Sequence, residues 1–451
     1  MQLDVVGSRC FGTVSPVKTD NSPARGTRDL LPDTVTVRDR VLASICEVYR
    51  RYGYQRIETP ALEDLARLTG GQGGENEKLI YRVLRRGLAE TVAADTPLTD
   101  LTDLGLRFDL TVPLTRFYGN NHAALPAPFR SFQFGPVWRA ERPQRGRYRQ
   151  FYQCDIDLLG ERSVLAEVEL IEATTEALAA TGLTGTTVRV SDRRFLSALA
   201  AALGLPEEAW DGLFITVDKL DRIGWTGVSA ELVERGVTEE QVGRLRDTLD
   251  TLGGTAADGG DKLAAALAAT VPGIGDEVLA DLSATAATLT ELAGARDLAW
   301  VFDPTLVRGM GYYTGQIFEV THPASSGSVA GGGRYDRLIG RSLGRDVPAC
   351  GFSIGFERIV DLLEAARTED RLALLVESAV PLPDVLAAAR RLRADGRSVS
   401  VVPRTGRFAA QLGRLTDWGF TGFAQLRVGD AGTEEIAERR LDLKDGGSRS
   451  G

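Results

Sequence analysis

The feature that most constrains the fold of this chain is a helical block that separates two strand-rich segments. Residues 192–295 are rich in alanine and leucine and predict helices, apart from a Gly/Ala/Asp loop near residues 253–261. Short strands and turns are predicted before this block, and strands return from Leu298 onwards. The pattern favours a strand-rich domain in two parts, residues 25–191 and 296–368, with a helical insertion between them.

The two ends of the chain differ from this central part. From Leu372 strands and helices alternate, and this βαβαβ pattern predicts a small separate α/β domain over residues 369–451. Residues 1–24 are rich in Ser, Pro, Gly and Thr and predict a flexible tail. A length of 451 residues suits about three domains of ordinary size. The fold class that we expect is therefore α+β.

Local patterns predict individual elements in the first part of the chain. Apolar residues at helical spacing predict an amphipathic helix that begins at Asp33, its N-cap, and stops at Gly53. These apolar residues are Val37, Val41, Ile45, Val48 and Tyr52. Pro60 interrupts the strand-like segment that follows and favours a position at a sheet edge or an interface. The stretch LRFDLTVPL, residues 106–114, predicts a further strand.

The clearest alternation lies in the segment RQFYQCDIDLLG, residues 149–160. Successive side chains of a strand point to opposite faces. One face therefore carries Phe151, Gln153, Asp155 and Asp157, and the other carries Tyr152, Cys154, Ile156 and Leu158. A polar strand face with acidic residues requires solvent, partners or a ligand.

Composition and charge exclude several classes of protein. With 43% hydrophobic and 25% charged residues the chain is globular, and it has no run of about 18 apolar residues that could span a membrane. The first residues do not resemble a secretory signal, so we expect a cytoplasmic protein. Four scattered cysteines and two histidines predict neither a zinc site nor a disulfide framework.

Arginines concentrate in one short segment of an otherwise acidic chain. The net charge of −9 argues against broad, nonspecific binding of nucleic acid, although it does not exclude RNA. The segment VWRAERPQRGRYRQF predicts a hairpin with a flexible, basic tip, ERPQRGR. Five arginines fall within eleven residues of this segment: Arg139, Arg142, Arg145, Arg147 and Arg149. Because guanidinium groups pair two donors with phosphate oxygens, the cluster favours phosphate or nucleic-acid binding. Taken alone, a solvated basic turn is the alternative.

Two further arginines lie in unusual surroundings. Arg308 in LVRGMGYYTG lies between glycines and beside two tyrosines, which could also be ordinary core residues. Arg358 in GFSIGFERI lies where a strand passes into a helix, a position that suits a phosphate, or equally a surface ion pair. The nearby AGGGRYDRL lacks the GK[ST] ending of a P-loop, and its glycines favour close backbone packing beneath a ligand.

Together these segments resemble the histidyl-tRNA synthetase family, from about Arg25 to the end of the chain. TPALE resembles motif 1 of the class II synthetases, VWRAE through RQFYQ resembles motif 2, and GFSIGFERI resembles motif 3. LVRGMGYYTG and AGGGRYDRL resemble the two segments peculiar to histidyl enzymes. RGTRDLLP, RFDLTVPLTR and VDKLDRIGW are also similar to family segments. The resemblance implies a class II catalytic domain built on an antiparallel sheet, with a helical insertion.

The resemblance also implies the reaction and its ATP site. The family joins the amino-acid carboxylate to the α-phosphate of ATP with Mg²⁺ and then transfers the aminoacyl group to tRNA. By position, Arg139 would hold the α-phosphate, Glu141 the adenine amino group and Phe151 the adenine ring. Arg147 and Arg358 would hold the outer phosphates.

The resemblance assigns the amino-acid site in the same way. Arg308 would bridge the substrate carboxylate and the α-phosphate as the second catalytic arginine. Asp109, Thr111 and Gln153 would hold the α-ammonium group of histidine. Asp157 and Tyr313 would recognise the imidazole, and Tyr312 would close the pocket. The alternation in residues 149–160 independently places Gln153 and Asp157 on one face.

Three functional hypotheses follow. The first is a histidine–tRNA ligase that acts on tRNA(His), which the resemblance implies to be a homodimer. The second is a paralogue that delivers the activated amino acid to another acceptor, and the short anticodon-binding-like domain after residue 369 leaves this open. The third is a non-catalytic regulatory paralogue of histidine biosynthesis, which Arg139, Arg308, Arg358 and the C-terminal domain disfavour. ATP–pyrophosphate exchange with and without tRNA separates the three.

One position departs from the family pattern. The family usually has RG-Leu-Asp-Tyr-Tyr where this chain has Arg308-Gly309-Met310-Gly311-Tyr312-Tyr313, so Gly311 replaces an acidic side chain. We predict that Gly311→Asp raises histidine-dependent ATP–pyrophosphate exchange, because the carboxylate would restore an acidic group beside the amino-acid pocket. An unchanged exchange rate would show that the departure is neutral.

Overall fold

The computed structural model describes most of the chain. The described residues are 21–70, 78–88, 91, 93, 95–143, 147–253, 259–296, 298–307, 313–363, 370–394, 396–430 and 436–441. Contacts between Cα atoms divide the chain into two compact units, with the boundary between Leu363 and Glu364. The finer division of the first unit at residues 191 and 295 stays a prediction.

An eight-stranded sheet organises the first unit. The strands of this unit are β1 (Gln55–Arg56), β2 (Leu62–Asp64), β3 (Arg82–Leu84), β4 (Thr102–Leu106), β5 (Phe129–Trp138), β6 (Gln150–Leu159), β7 (Thr187–Asp192), β8 (Ala299–Phe302), β9 (Gln316–Thr321), β10 (Ala330–Arg334) and β11 (Ala349–Ile354). The large sheet has the order β1–β5–β6–β11–β10–β9–β7–β8, and β2–β4–β3 form a small sheet. In this order, all neighbouring strands between β5 and β7 pair antiparallel. The edge strands β1 and β8 pair parallel with β5 and β7. The predicted α+β class with an antiparallel sheet is confirmed.

Helices of the first unit cover the sheet and fill the block between β7 and β8. They are α1 (Pro32–Arg51), α2 (Leu65–Thr69), α3 (Leu98–Leu101), α4 (Thr111–Asn121), α5 (Leu165–Ala180), α6 (Arg193–Ala202), α7 (Glu207–Val217), α8 (Leu220–Glu234), α9 (Glu239–Gly253), α10 (Gly260–Thr270), α11 (Asp276–Ala295), α12 (Asp336–Leu343) and α13 (Phe356–Leu363). Helices α6 to α11 share a hydrophobic core with the sheet through residues such as Val190, Leu213 and Leu289. The predicted helical character of this block is therefore observed in its described residues.

The two faces of the sheet differ in chemistry. Helices α1 and α5 pack on one face and bury Cys154, Ile156 and Leu158 of β6. The opposite face of β6 presents Gln153, Asp155 and Asp157, as the alternation predicts. This second face carries the candidate site.

The prediction for the start of α1 was wrong, whereas the prediction for its end was correct. Helix α1 begins at Pro32 after Leu31, so Asp33 lies in the first turn and is not the N-cap. Proline suits a first helical position because its missing N–H needs no partner there. The stop at Gly53 is confirmed, since the helix ends at Arg51 and Gly53 has a φ of +79°.

The stretch LRFDLTVPL is not a continuous strand. Strand β4 ends at Leu106, and helix α4 begins at Thr111. Pro113 is the third residue of this helix, where its N–H would lack an intrahelical acceptor in any case. The carboxylate of Asp109 accepts a hydrogen bond from the backbone N–H of Val112 at 3.1 Å, which helps to start the helix beside the site.

The second unit confirms the predicted alternation of strands and helices. Its elements are β12 (Arg371–Val376), α14 (Leu382–Arg393), β13 (Ser398–Pro403), α15 (Phe408–Asp417), β14 (Gly422–Leu426) and β15 (Glu438–Arg440). Strands β13, β12 and β14 are parallel neighbours, and β15 adds an antiparallel edge to β14. The edge strand β15 was not predicted, because three charged residues carry no strand signal.

A buried ion pair anchors the end of β10 to helix α5. Arg334 donates to both carboxylate oxygens of Glu167, at 2.6 and 2.7 Å, and the two side chains are 9% and 2% exposed. Arg334 also donates to the backbone carbonyls of Glu161 and Ser163. A bidentate pair of this kind fixes the position of β10 relative to the helices behind the sheet.

We predict that Glu167→Gln destabilises the protein by about 3–5 kcal/mol, because the change leaves a buried guanidinium without its counter-charge. Thermal unfolding would measure the effect as a lower melting temperature. Arg334→Met combined with Glu167→Met should recover part of the loss, since no buried charge remains. Glu47→Gln, which removes the exposed pair with Arg50, is the matched control and should leave the melting temperature unchanged.

Candidate active site

Two adjoining cavities lie on the polar face of the sheet. The larger has a volume of about 480 Å³ and the smaller about 70 Å³. Both are lined by Arg139, Gln153, Tyr313, Gly331 and Ser353, so they meet along one shared wall. A ligand in one cavity would therefore contact a ligand in the other.

The larger cavity is basic at the ends of the β5–β6 hairpin and at the start of α13. The guanidinium of Arg139 lies 5.0 Å from the ring centroid of Phe151, and its Nε donates to the carbonyl of Phe108 at 3.0 Å. Arg147 forms an ion pair with Glu141 at 3.1 Å. Arg358 donates to the carbonyl of Ser328 and also lines this cavity. Arginines from separate chain segments thus line one cavity, and the guanidinium of Arg139 lies beside an aromatic ring.

The wall of the larger cavity depends on Glu357, which the sequence did not single out. Arg28 and Arg38 donate to the same oxygen of Glu357, at 2.7 and 2.6 Å. The other oxygen accepts from the backbone N–H of Tyr152 at 3.2 Å. Arg28 also stacks on Tyr148 at 4.1 Å. These contacts join the start of the chain, α1, β6 and α13.

The smaller cavity is lined by carboxylates that carry unsatisfied oxygens. Asp157 accepts from the hydroxyl of Tyr335 at 2.5 Å through Oδ1, whereas its Oδ2 has no hydrogen-bond partner among the described residues. Asp109 Oδ2 and Gln153 Oε1 are also without one. Buried polar atoms are rarely left unpaired. Because all three are acceptors, they fit a ligand that brings N–H donors.

Glycines bring backbone and carboxylate together in the smaller cavity. Gly351 of β11 lies opposite Asp157 of β6, and a methyl group on Gly351 would lie 2.1 Å from Asp157 Oδ1. A methyl group on Gly332 of β10 would lie 2.1 Å from the carbonyl oxygen of Gly351. Only glycine fits at these two positions without displacing backbone or carboxylate. The expected role of AGGGRYDRL, close packing beneath the site, agrees with this geometry.

Burial raises the pKa values of the carboxyl groups that line the smaller cavity. It raises the pKa of Asp109 to about 6 and the pKa of Asp157 to about 7. Burial and the neighbouring Asp157 raise the pKa of Asp155 well above its ordinary value. A cationic ligand would favour the charged forms of these groups, so the cavity is suited to a positively charged or N–H-rich ligand.

The structure brings together most of the predicted site residues. Arg139, Glu141, Arg147, Phe151 and Arg358 line the larger cavity. Asp109, Thr111, Gln153, Asp157 and Tyr313 line the smaller one. Arg308 and Tyr312, together with Gly311, lie outside the described residues. The individual roles of all these residues stay predictions.

Sequence reasoning assigned no role to several residues that line the cavities. Asp155 and Tyr335 line the smaller cavity, and Glu319 and Glu357 line the larger. The strand alternation had placed Asp155 on the correct face, and Glu357 lies next to Arg358 in the motif 3-like segment. The contacts of Tyr335 and Glu357 span more than one hundred residues of sequence, which local patterns do not reveal.

Two features are absent from the residues that the structure describes. No group of three or more His, Cys, Asp or Glu side chains there is arranged to hold a metal ion by itself. Within the same residues, no helix is long and apolar enough to cross a membrane.

Comparison with known proteins identifies the family. The family model described as histidyl-tRNA synthetase matches residues 26–359. The chain belongs to this family. A histidine–tRNA ligase of Leifsonia xyli is 48% identical over 433 residues, which cover 94% of this chain and 98% of that protein. A histidine–tRNA ligase of Gloeobacter violaceus is 38% identical over 360 residues, which cover 75% of this chain and 74% of that protein.

Solved structures agree with this assignment. The crystal structure of histidyl-tRNA synthetase from a Nostoc species matches with a TM-score of 0.77 and 26% identity, covering 94% of this chain and 95% of that one. A Bacillus halodurans protein titled as an ATP phosphoribosyltransferase regulatory subunit/histidyl-tRNA synthetase matches with a TM-score of 0.71, covering 92% of this chain and 99% of that one. Its identity of 21% shows a shared fold alone.

We predict that Asp157→Asn stabilises the ligand-free protein at pH 8. In the native protein Asp157 keeps its proton up to a pKa of about 7, so stability falls as pH rises from about 4 to 7. One pKa unit corresponds to about 1.4 kcal/mol, and removing the buried charge should raise the melting temperature by several degrees. At pH 4 the wild type and the variant should melt alike.

Thermal unfolding of both proteins across this pH range checks the prediction. Asp103→Asn, which changes an exposed carboxylate, serves as the control and should not alter the pH dependence. An identical pH slope in wild type and Asp157→Asn would contradict the raised pKa.

Proposed function

We propose that this chain is a histidine–tRNA ligase that uses the larger cavity for ATP and the smaller for histidine. The observation that carries the proposal is the shared wall at Arg139, where the two substrates would meet. Family membership and relatives named histidine–tRNA ligase support it. The reaction has two steps. A carboxylate oxygen of histidine first attacks the α-phosphate of ATP and releases pyrophosphate. A terminal hydroxyl of tRNA(His) then attacks the acyl carbon and releases AMP.

ATP would lie with its adenine over Phe151 and its amino group at Glu141. Arg147 and Arg358 would pair with the outer phosphates, which suits their positions in the larger cavity. Mg²⁺ would be held by these phosphates and by Glu319, a 3%-exposed carboxylate that lines the same cavity. The ion would neutralise part of the charge on the outer phosphates.

Histidine would satisfy the unpaired acceptors of the smaller cavity. Its α-ammonium group would donate to Asp109, Thr111 and Gln153. Its imidazole N–H would donate to Asp157, whose position Tyr335 fixes. Each charge-assisted hydrogen bond contributes about 1.5–3 kcal/mol. Tyr313 lines both cavities and would contact the ring, and Tyr312 is assigned to the same pocket by resemblance only.

Negative charge develops on the α-phosphate when the carboxylate attacks. Arg139 lines both cavities and would stabilise that charge, because its guanidinium is already held by the carbonyl of Phe108. Arg308 is assigned, by resemblance only, to bridge the substrate carboxylate and the same phosphate. Neither arginine needs to gain or lose a proton in this step, so both act by electrostatic stabilisation alone.

The proposal also includes tRNA binding and the oligomeric state. We assign the second unit to anticodon binding on the basis of resemblance. We also expect a class II homodimer in the cytoplasm, with the motif 1-like segment at its interface. Leu62, Leu84 and Leu98 are exposed near the small β2–β4–β3 sheet, and exposed apolar residues of this kind favour an interface there.

The two alternative functions have weaker support. A regulatory paralogue without catalysis is disfavoured because Arg139 and Arg358 converge on one cavity, and because the likeness to the Bacillus halodurans protein shows the fold alone. Delivery to an acceptor other than tRNA keeps the same site and differs only in the second step. Histidine-dependent exchange without charging of tRNA(His) would favour that alternative.

We predict that Arg139→Ala lowers the rate of histidine-dependent ATP–pyrophosphate exchange by about 10²–10³, because it removes a donor aimed at transition-state charge. Initial rates at saturating histidine and ATP would measure the loss. Arg222→Ala, which changes an exposed arginine of α8, is the control and should exchange at the wild-type rate. Equal rates for Arg139→Ala and wild type would contradict the proposed junction of the two substrates.

A further inference from the structure

The side-chain amide of Gln153 lies between the two cavities and is paired on one side only. Its Nε2 donates to Asp155 Oδ2 at 3.3 Å and to Ser353 Oγ at 3.4 Å. Its Oε1 is buried and has no hydrogen-bond partner among the described residues. Because the NH₂ group faces Asp155 and Ser353, the end of the amide left for a ligand is its acceptor oxygen.

Asp155 and Ser353 form a fixed pair behind this amide. Strands β6 and β11 are antiparallel neighbours, and Ser353 lies directly opposite Asp155 in their register. The Ser353 hydroxyl donates to Asp155 Oδ1 at 2.5 Å. Directly opposed side chains on one sheet face are close enough to interact, and both strands lie inside the large sheet, so backbone pairing holds the two residues together.

The pair determines which end of the amide faces the ligand. A glutamine amide has a donor end and an acceptor end, and its neighbours decide its orientation. Ser353 gives its only proton to Asp155, so it presents lone pairs to Gln153. When Asp155 is ionised, the state that a cationic ligand in this cavity favours, its carboxylate also presents lone pairs. Both neighbours are acceptors, and the NH₂ group of Gln153 must face them.

We propose that Asp155 and Ser353 are positioning residues for the amino-acid substrate: they hold the Gln153 amide with its oxygen toward the substrate α-ammonium group. This inference rests on the proposed function, because it assumes an amino acid in the smaller cavity. An amide turned the other way would point N–H donors at the ammonium group. The substrate would then lose a hydrogen bond and meet like polarity in a buried site.

A neutral side chain at position 155 would favour the opposite orientation of the Gln153 amide. A protonated Asp155 would donate its own proton toward Gln153 and favour the turned amide. Asp155→Asn imitates this state with the same shape, because its NH₂ group can donate to Gln153 Oε1. The variant therefore tests orientation with little change in packing volume.

Isothermal titration calorimetry would measure the Kd for histidine, and ATP–pyrophosphate exchange would measure the KM for ATP. We expect Asp155→Asn to weaken histidine binding about tenfold, the loss of roughly one good hydrogen bond, with the KM for ATP unchanged. Ser353→Ala should weaken it about threefold, and Ser353→Thr, which keeps the hydroxyl, should restore it. Ser163→Ala removes a hydroxyl that donates to Glu161 outside the site and is the matched control.

A double variant separates positioning from a direct or purely structural role. If Asp155 acts through Gln153, Asp155→Asn should add nothing to the loss in Gln153→Ala. Additive losses, or equal increases in the histidine Kd and the ATP KM, would overturn the inference. Histidine binding without exchange in the wild type would count against the proposed function, while the Kd series would still decide the inference. No histidine binding by the wild type would overturn both.

Discussion

Buried oxygen atoms without partners are the constraint on which the site depends. Asp109, Gln153 and Asp157 line the smaller cavity, and each has one buried oxygen without a hydrogen-bond partner in the part of the chain that the structure describes. Leaving such a group unsatisfied costs about 1–3 kcal/mol, and more when the group is charged. Among the residues that the structure describes, these groups therefore retain a need for hydrogen-bond donors. A small molecule with several N–H donors can meet this need, and a zwitterion with an ammonium group and an imidazole ring has donors of this kind.

The sheet makes this arrangement possible because successive side chains of a strand point to opposite faces. Alternate residues of β6 enter the core beneath α1 and α5, and the residues between them form the polar floor of the cavities. The neighbouring strands supply the other residues that line the cavities. Strand β11 provides Ser353 and the glycine that leaves room for Asp157, and β10, the next strand of the sheet, provides three successive glycines. The buried pair of Arg334 and Glu167 holds β10 in this position.

Sequence patterns predicted those parts of the site that depend on local spacing. The alternation in residues 149–160 placed Gln153, Asp155 and Asp157 on one face, and the structure places them there. Predictions from local patterns were wrong where the start of a helix resembles a strand, as at Thr111. They also failed where a partner is distant in sequence. Tyr335 reaches Asp157, and Arg28 reaches Glu357, only because the sheet and α13 bring these segments together.

The position of Arg139 explains why the polar floor and the basic hairpin belong to one mechanism. Its charge lowers the pKa of Asp109 and of Asp155, which burial alone would raise further. The same guanidinium lies beside Phe151 at the edge of the larger cavity. In the proposed function, a cation shared by the carboxylate-rich pocket and the pocket for phosphates would favour the ionised floor that an ammonium group requires. It would also lie where the substrate carboxylate and the α-phosphate, both negative, approach each other. In the proposed mechanism, substrate binding and bond formation would thus depend on one fixed charge.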